Sequence, residues 1–403
     1  MRSHHLRALT GMRFFAALWV VLYHVTRHNQ AVLQTSFSDV DRLTRPLLGQ
    51  GIHGVDLFFV LSGFVLALNY LDQLGPRADV RTAGRFLWLR LARVWPLYVT
   101  VLLLAGALIC VRDRLWDSAP AGQVDGWRFV QQLFLVQQWF GTTSWAGPAW
   151  SVSAEWLAYL LCPLLALVVF RLQHRLRARA LLVGAGVAIS PCAVLALAQG
   201  SFTGPGGWAV RVVAEFTAGM LLCAAVSRVD VGRRAKRVVG LVTVAALMLM
   251  VGVYYATYEL QGSGWVRTLV TVLLIPVVIA GLAVGTGPLA SFLASRPAVL
   301  GGKVSYALYL VHSPLLYLIR DTLSEGLGIR PGALRIYLEL AWIPVLLVVA
   351  WLAWRYVEEP SRHFMRSLLP DVAPAAARTG EPFVVRDVPI DRDPRDEPVH
   401  AAR

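Results

Sequence analysis

Ten stretches of about twenty mainly apolar residues follow one another along this 403-residue chain, and no other feature restricts its fold as strongly. They lie at 9–29, 51–70, 94–111, 149–170, 180–199, 208–227, 238–257, 266–285, 299–319 and 336–356. A helix rises about 1.5 Å per residue, so roughly 20 apolar residues cross a hydrocarbon core about 30 Å thick. No water is available there to bond backbone N–H and C=O groups, so each run must satisfy its own backbone as a helix. The chain is 57% apolar and 15% charged, with a mean hydropathy of +0.57. Soluble domains are about 45–50% apolar and about 25% charged. The expected fold is all-α: a polytopic membrane helical bundle of about ten transmembrane helices.

Charge then orients the bundle. The formal net charge of +14 does not point to nucleic acid, because basic residues in a membrane protein gather in its cytoplasmic loops. With the N-terminus inside, one such loop holds Arg77, Arg81, Arg85, Arg90 and Arg93, and the next Arg171, Arg175, Arg177 and Arg179. A third holds Arg228, Arg233, Arg234, Lys236 and Arg237, whereas loops 200–207 and 258–265 on the other side have no Lys or Arg. The expected placement is a bacterial plasma membrane, multi-pass, with both termini cytoplasmic. The predominance of arginine over lysine, which occurs only at Lys236 and Lys303, fits a high-GC bacterial coding sequence. The N-terminal run has no small-residue cleavage site after it and reads as an uncleaved span. Cys110, Cys162, Cys192 and Cys223 each sit in an apolar run without metal-ligand spacing, so no metal is expected. The stretch 127–140 (WRFVQQLFLVQQWF) is too short and glutamine-rich to span and reads as an interfacial or re-entrant piece. Two regions result: a transmembrane domain over 1–362 and a cytoplasmic, disordered tail over 363–403, rich in Pro, Asp, Arg and Ala.

Ionisable residues inside spans are costly and mark functional sites. Arg13 and His24 lie eleven positions apart on the first span. That is three turns plus about 20°, so they share a face about 16 Å apart along the axis. A histidine there suits proton transfer, while Arg13 could instead snorkel to the headgroups. Asp56 opens the second span and needs a donor or a cavity; the Ser62–Gly63 pair beyond it reads as a close-packing or kink point. Arg90 and Arg93 share one helical face, suited to clamping phosphate, although arginines flanking a span also serve as topology signals. Glu155 lies in the fourth span among Trp150, Trp156 and Tyr159. Ser305, Tyr309 and His312 form one polar stripe on the ninth span. Counted from the outer edge of each span, His24, Asp56, Glu155 and His312 fall roughly 7–12 Å deep, in one layer. Two imidazoles and two carboxylates at one level read as an acid/base site, with at least three of the four expected to line a single cavity opening toward Arg90 and Arg93.

Six segments in order resemble the acyltransferase-3 family of integral membrane O-acyltransferases: LTGMRFFAALWVVLYH, GVDLFFVLSGF, RLARVWPLY, AWSVSAEWLAYLL, SYALYLVHSP and YVEEPSR. The resemblance runs from about residue 6 to residue 362, with Ala154 before Glu155 as a mild departure from the common form. It implies that Arg13 and His24 are essential and that Arg90 and Arg93 serve acyl-CoA. It further implies a standalone member without a fused SGNH-type esterase domain. The expected reaction moves an acyl group, acetyl or another short one, from acyl-CoA to a hydroxyl of a carbohydrate, glycolipid or macrolide-type glycoside. Arg13, Arg90 and Arg93 would hold the donor's anionic end, and the pantetheine arm would present the thioester near His24, which would act as general base or, alternatively, as a transient acyl carrier. Asp56, Glu155 and His312 complete the expected catalytic set. A transporter or flippase is the alternative class, but it would need no basic rim for an acyl-CoA, and no internal repeat is evident.

The orientation has a direct check. Single cysteines introduced in 30–50, 112–148 or 320–335 should react with impermeant thiol reagents on intact cells. Those in 71–93, 171–179 or 228–237 should stay unlabelled, and the reverse pattern would overturn the orientation.

Overall fold

The computed structural model describes residues 3–116, 124–200, 202, 206–229, 231–260 and 262–369. Among the described residues it is helical without a strand. Helix α1 (Ser3–His28) leads into two short helices, α2 (Gln30–Ser36) and α3 (Ser38–Leu48). Then come α4 (Gly54–Leu74), α5 (Val80–Trp116) and the short α6 (Gly126–Leu133). Five long helices follow: α7 (Trp150–Arg175), α8 (Ala178–Gln199), α9 (Gly207–Val226), α10 (Arg233–Ala256) and α11 (Gly264–Val284). The chain closes with α12 (Pro288–Leu293), α13 (Arg296–Asp321), α14 (Ala333–Ala341), α15 (Ile343–Ala353) and α16 (Glu359–Ser367).

Among the described residues, nine helical segments are long and apolar enough to cross a membrane. Helix α13 is long enough but is not among them, and the reason lies in its position. It packs against α1, α5 and α15 and buries both polar and apolar faces, including Ser305, Tyr309, His312 and Ser313. A helix enclosed by other helices needs no lipid-compatible surface, so it can carry the bundle's polar groups. The outer helices show the opposite pattern. On α8 and α10 the exposed residues include the large apolar Val183, Val187, Leu241, Met248 and Leu249.

Two contacts between helices set the spacing of the core. Glycines 63 and 219 let α4 and α9 touch backbone to backbone. A Cβ on Gly63 would stand 2.0 Å from the Phe216 carbonyl oxygen, and one on Gly219 would stand 2.0 Å from that of Val60. Helix α4 continues unbroken through Ser62–Gly63, and Gly63 is a packing notch. Helices α1 and α13 meet in the same way, where a Cβ on Gly302 would lie 1.9 Å from the Thr10 carbonyl oxygen.

The segment after α6 returns into the bundle. Gln137 is fully buried and its Nε2 donates to Tyr98 Oη (3.1 Å) and the Ala149 carbonyl (3.3 Å). Gln132 Oε1 accepts from the Trp145 amide at 2.8 Å. The glutamines that argue against a span therefore anchor a re-entrant loop, while Trp127, Phe134 and Phe140 stay exposed at its rim. The last span is broken twice. Pro344 sits in the first turn of α15, and a π-helical turn, Trp354–Glu358, precedes α16. Helix α16 then continues to Ser367 and docks on α5, where Trp88 Nε1 donates to the Met365 carbonyl at 2.8 Å. The folded unit thus extends beyond the expected boundary at 362, and the expected tail from 370 onward lies outside the described residues.

Gly63→Ala and Gly219→Ala should each cost roughly 1–3 kcal/mol by forcing two backbones apart. Gly252→Ala on α10, where an added Cβ meets nothing within 4 Å, should be neutral or mildly stabilising. Thermal unfolding in detergent reads the difference; equal midpoints for all three variants would contradict this packing.

Candidate active site

One cavity gathers the three arginines singled out in the sequence. Arg13 from α1 and Arg90 and Arg93 from α5 line it, together with Glu155 from α7 and Ser305 and Tyr309 from α13. Helix α5 has 37 residues, about 55 Å of rise, so it extends well beyond a hydrocarbon core and carries Arg90 and Arg93 on a rigid element. Each arginine is held differently. Arg90 Nη2 donates to Tyr70 Oη at 2.8 Å, with its guanidinium 5.0 Å from that ring. Arg93 is ion-paired with Glu358 and lies 5.8 Å from the Tyr306 ring. Arg13 Nε is buried without a hydrogen-bond partner. A buried cationic N–H with no acceptor is costly, so this cavity is suited to an anion.

The two imidazoles stand side by side next to this cavity. The ring centroids of His24 and His312 are 5.1 Å apart, and the Tyr309 ring is 5.9 Å from His312. His24 Nδ1 is 2.8 Å from the Val20 carbonyl, and His312 Nδ1 is 3.2 Å from that of Leu308. A carbonyl only accepts, so each Nδ1 carries a proton, and in the neutral ring each Nε2 keeps its lone pair. His312 is fully buried and its Nε2 has no partner. Tyr309 bridges the two regions. It lines the cavity, its hydroxyl donates to the Pro148 carbonyl (3.0 Å), and it meets Ser151 Oγ at 2.6 Å.

The four residues expected in one layer do not line one cavity. Glu155 does, but His24, His312 and Asp56 are not among its lining residues. Two physical reasons account for this. The helices cross at different heights: Gly51 packs on Trp19 and Tyr23, and Gly54 on Ala16 and Val20. Asp56 therefore sits closer to the level of Arg13 than His24 does. Asp56 also has partners that a search from span edges overlooks. Arg211 Nε donates to its Oδ1 at 2.5 Å, and His53 Nδ1 lies 2.6 Å from its Oδ2. The buried carboxyl of Glu215, one turn along α9, stands 3.9 Å from Arg211 Nε. Arg211 and Glu215 are charges within a predicted span, so the rule that found Arg13 and His24 would also have found them.

This cluster forms part of the wall of a second cleft, near the other end of α1. Tyr23, Arg27, Gln50, Gln138, Trp208 and Arg211 contribute to its lining. The Tyr23 ring is 5.1 Å from that of His24, so this cleft approaches the histidines from the side opposite the arginine cavity.

Comparison with known proteins agrees with this architecture. The acyltransferase-3 family model, described as an acyltransferase domain, matches residues 6–355, and the chain belongs to that family. Acyltransferase MdmB of Streptomyces mycarofaciens is 29% identical over 418 residues, covering 96% of this chain and 99% of that protein. O-acetyltransferase OatA of Staphylococcus aureus is 20% identical over 378 residues, 89% of this chain but 57% of that protein. Regulator of hypoxia-inducible factor 1 of Caenorhabditis elegans is 23% identical over 173 residues, 40% of this chain and 34% of that protein. No solved structure matches the chain. The protein is a multi-pass membrane acyltransferase.

Asp56→Ala should leave Arg211 buried without its principal counter-charge, at a cost of about 3–5 kcal/mol. Thermal unfolding should show a large drop, and Asp56→Ala combined with Arg211→Met should recover much of it. A double variant as unstable as the single one would contradict this pairing.

Proposed function

We propose that the chain transfers an acyl group, acetyl or another short one, from acyl-CoA to a hydroxyl of a carbohydrate or glycosylated acceptor. The observation that carries this reading is the single cavity joining Arg13, Arg90 and Arg93 to the neighbourhood of the His24–His312 pair. Phosphates of the donor would take the unused N–H groups of the arginine cluster, where charge-assisted bonds are strong. The thioester arm would run along α1 to the histidines past Tyr309 and Phe58, which lines the same cavity with its ring 5.8 Å from that of Tyr309. The rise from Arg13 to His24, about 16 Å, matches an arm of that length.

His24 Nε2 is the general base in this scheme, because Nδ1 is committed to Val20. It takes the proton of the acceptor hydroxyl as the oxygen attacks the thioester carbonyl. The C–S bond breaks, and the departing thiolate of CoA receives the proton. His312 and Tyr309 stand where they can orient His24 and shape the acyl pocket, and Glu155 and Tyr159 add polar groups to the donor cavity. The acceptor enters through the second cleft, whose mixture of Tyr23, Trp208, Gln50 and Gln138 suits a sugar: aromatic faces for its C–H surface and amides for its hydroxyls. With the positive-inside orientation in a bacterial plasma membrane, the donor is cytoplasmic and the termini lie on its side.

His24→Ala should abolish acyl transfer while membrane insertion stays at the wild-type level. Retained turnover in the inserted variant would remove the general base from this scheme. Arg90→Ala with Arg93→Ala should raise the donor KM at least about tenfold, since a charge-assisted bond contributes about 1.5–3 kcal/mol. The acceptor KM should stay unchanged. Donor titrations that overlay the wild type would reduce both arginines to topology signals.

A further inference from the structure

The YVEEPSR stretch (356–362) has no part in the scheme above, yet it places a carboxylate directly behind the donor arginines. Glu358 is 1% exposed and ion-paired with Arg93 through Nη1. Arg93 lines the cavity and Glu358 does not, so the guanidinium stands between carboxylate and cavity. Arg13, Arg90 and Arg362 all act on Arg93 as like charges. Arg362 is taken by Glu359 at 3.2 Å, which leaves Glu358 to Arg93. Without that carboxylate, the mutual repulsion of the cluster would push the Arg93 head away.

The backbone explains how a carboxylate comes to be there. Pro360 has no N–H to return to the Tyr356 carbonyl, and its ring crowds that turn. The chain relaxes into the π-helical turn Trp354–Glu358, a geometry that recurs at functional sites because it re-aims the side chains it carries. Helix α16 beyond it docks on α5, the helix of Arg90 and Arg93, so the two partners sit on elements fixed to one another.

We propose that Glu358 is a positioning residue for the acyl donor. It occupies Nη1 of Arg93, so that the other N–H groups of the guanidinium face the cavity and meet donor phosphate. This rests on the reading that the cavity takes acyl-CoA.

The test measures CoA binding and acyl-CoA kinetics on the purified full chain in detergent. Glu358→Ala should raise the CoA Kd and the donor KM about tenfold, the loss expected for one charge-assisted bond. The kcat at saturating donor and the acceptor KM should stay near wild type. Glu358→Gln keeps an acceptor oxygen without the charge, fills the same space and should fall between the two. In an Arg93→Ala background, Glu358→Ala should add nothing, because the carboxylate acts through that arginine. Wild-type protein that does not bind CoA would defeat the proposed donor itself. Wild-type binding with unchanged Kd in both Glu358 variants would defeat the positioning role alone. So would tighter binding, which would make Glu358 a competitor of phosphate. Losses that add in the double variant, or a fall in active fraction at constant KM, would assign Glu358 to folding instead.

Discussion

A charged side chain in hydrocarbon has to find a partner within the protein, and this requirement organises the interior of the bundle. Asp56 is matched by Arg211 and His53, Arg93 by Glu358, and Arg335 by Glu339, whose other oxygen accepts from Asn29 at 2.5 Å. The Asp56–Arg211, Arg93–Glu358 and Asn29–Glu339 contacts join segments far apart in sequence, whereas Arg335–Glu339 lies within α14. Arg13 and Arg90 depart from this pattern: each has a buried Nε with no acceptor, at the wall of a cavity they share with Arg93. Two unpartnered cationic N–H groups at one cavity wall favour an anion there.

The histidine pair follows from the same economy. Helices α1 and α13 approach closely because Gly302 lets the α13 backbone meet Thr10. That contact holds the two helices in register over the next three turns and brings His24 against His312. Each ring returns one N–H to its own helix, so neither imidazole needs a partner to fix its tautomer. The pair is preorganised by backbone rather than by a carboxylate, which leaves Asp56 free for its structural role with Arg211.

Hydropathy made the helices legible because a span has to be apolar wherever it meets lipid. The ends of α4, α7, α8, α9 and α11 fall within a few residues of the expected runs. Two kinds of information were not available to it. Helix α13, Arg296–Asp321, covers the expected run 299–319, but hydropathy did not show that it is enclosed by other helices, and only its polar stripe hinted at that. Depth counted along each helix does not include tilt and crossing height, so Asp56 and Glu155 seemed level with His24 although they belong to other neighbourhoods. Spacing on one helix was informative in the same chain: the faces shared by Arg13 with His24 and by Arg90 with Arg93 involve no second helix. Partners across helices, such as Glu358 behind Arg93, are set by packing and by a π-turn that no simple periodicity announces.

The account depends on one geometric statement: the donor's phosphates lie among Arg13, Arg90 and Arg93, and its thioester reaches the histidines. A cryo-electron microscopy structure with a non-hydrolysable acyl-CoA analogue tests it directly. Phosphate oxygens should lie within hydrogen-bonding distance of these three guanidinium groups, and the acyl carbonyl within about 4 Å of His24 Nε2 once Tyr309 and Phe58 make room. Density for the analogue in the Tyr23–Trp208 cleft, or an acyl end pointing away from His24, would contradict it.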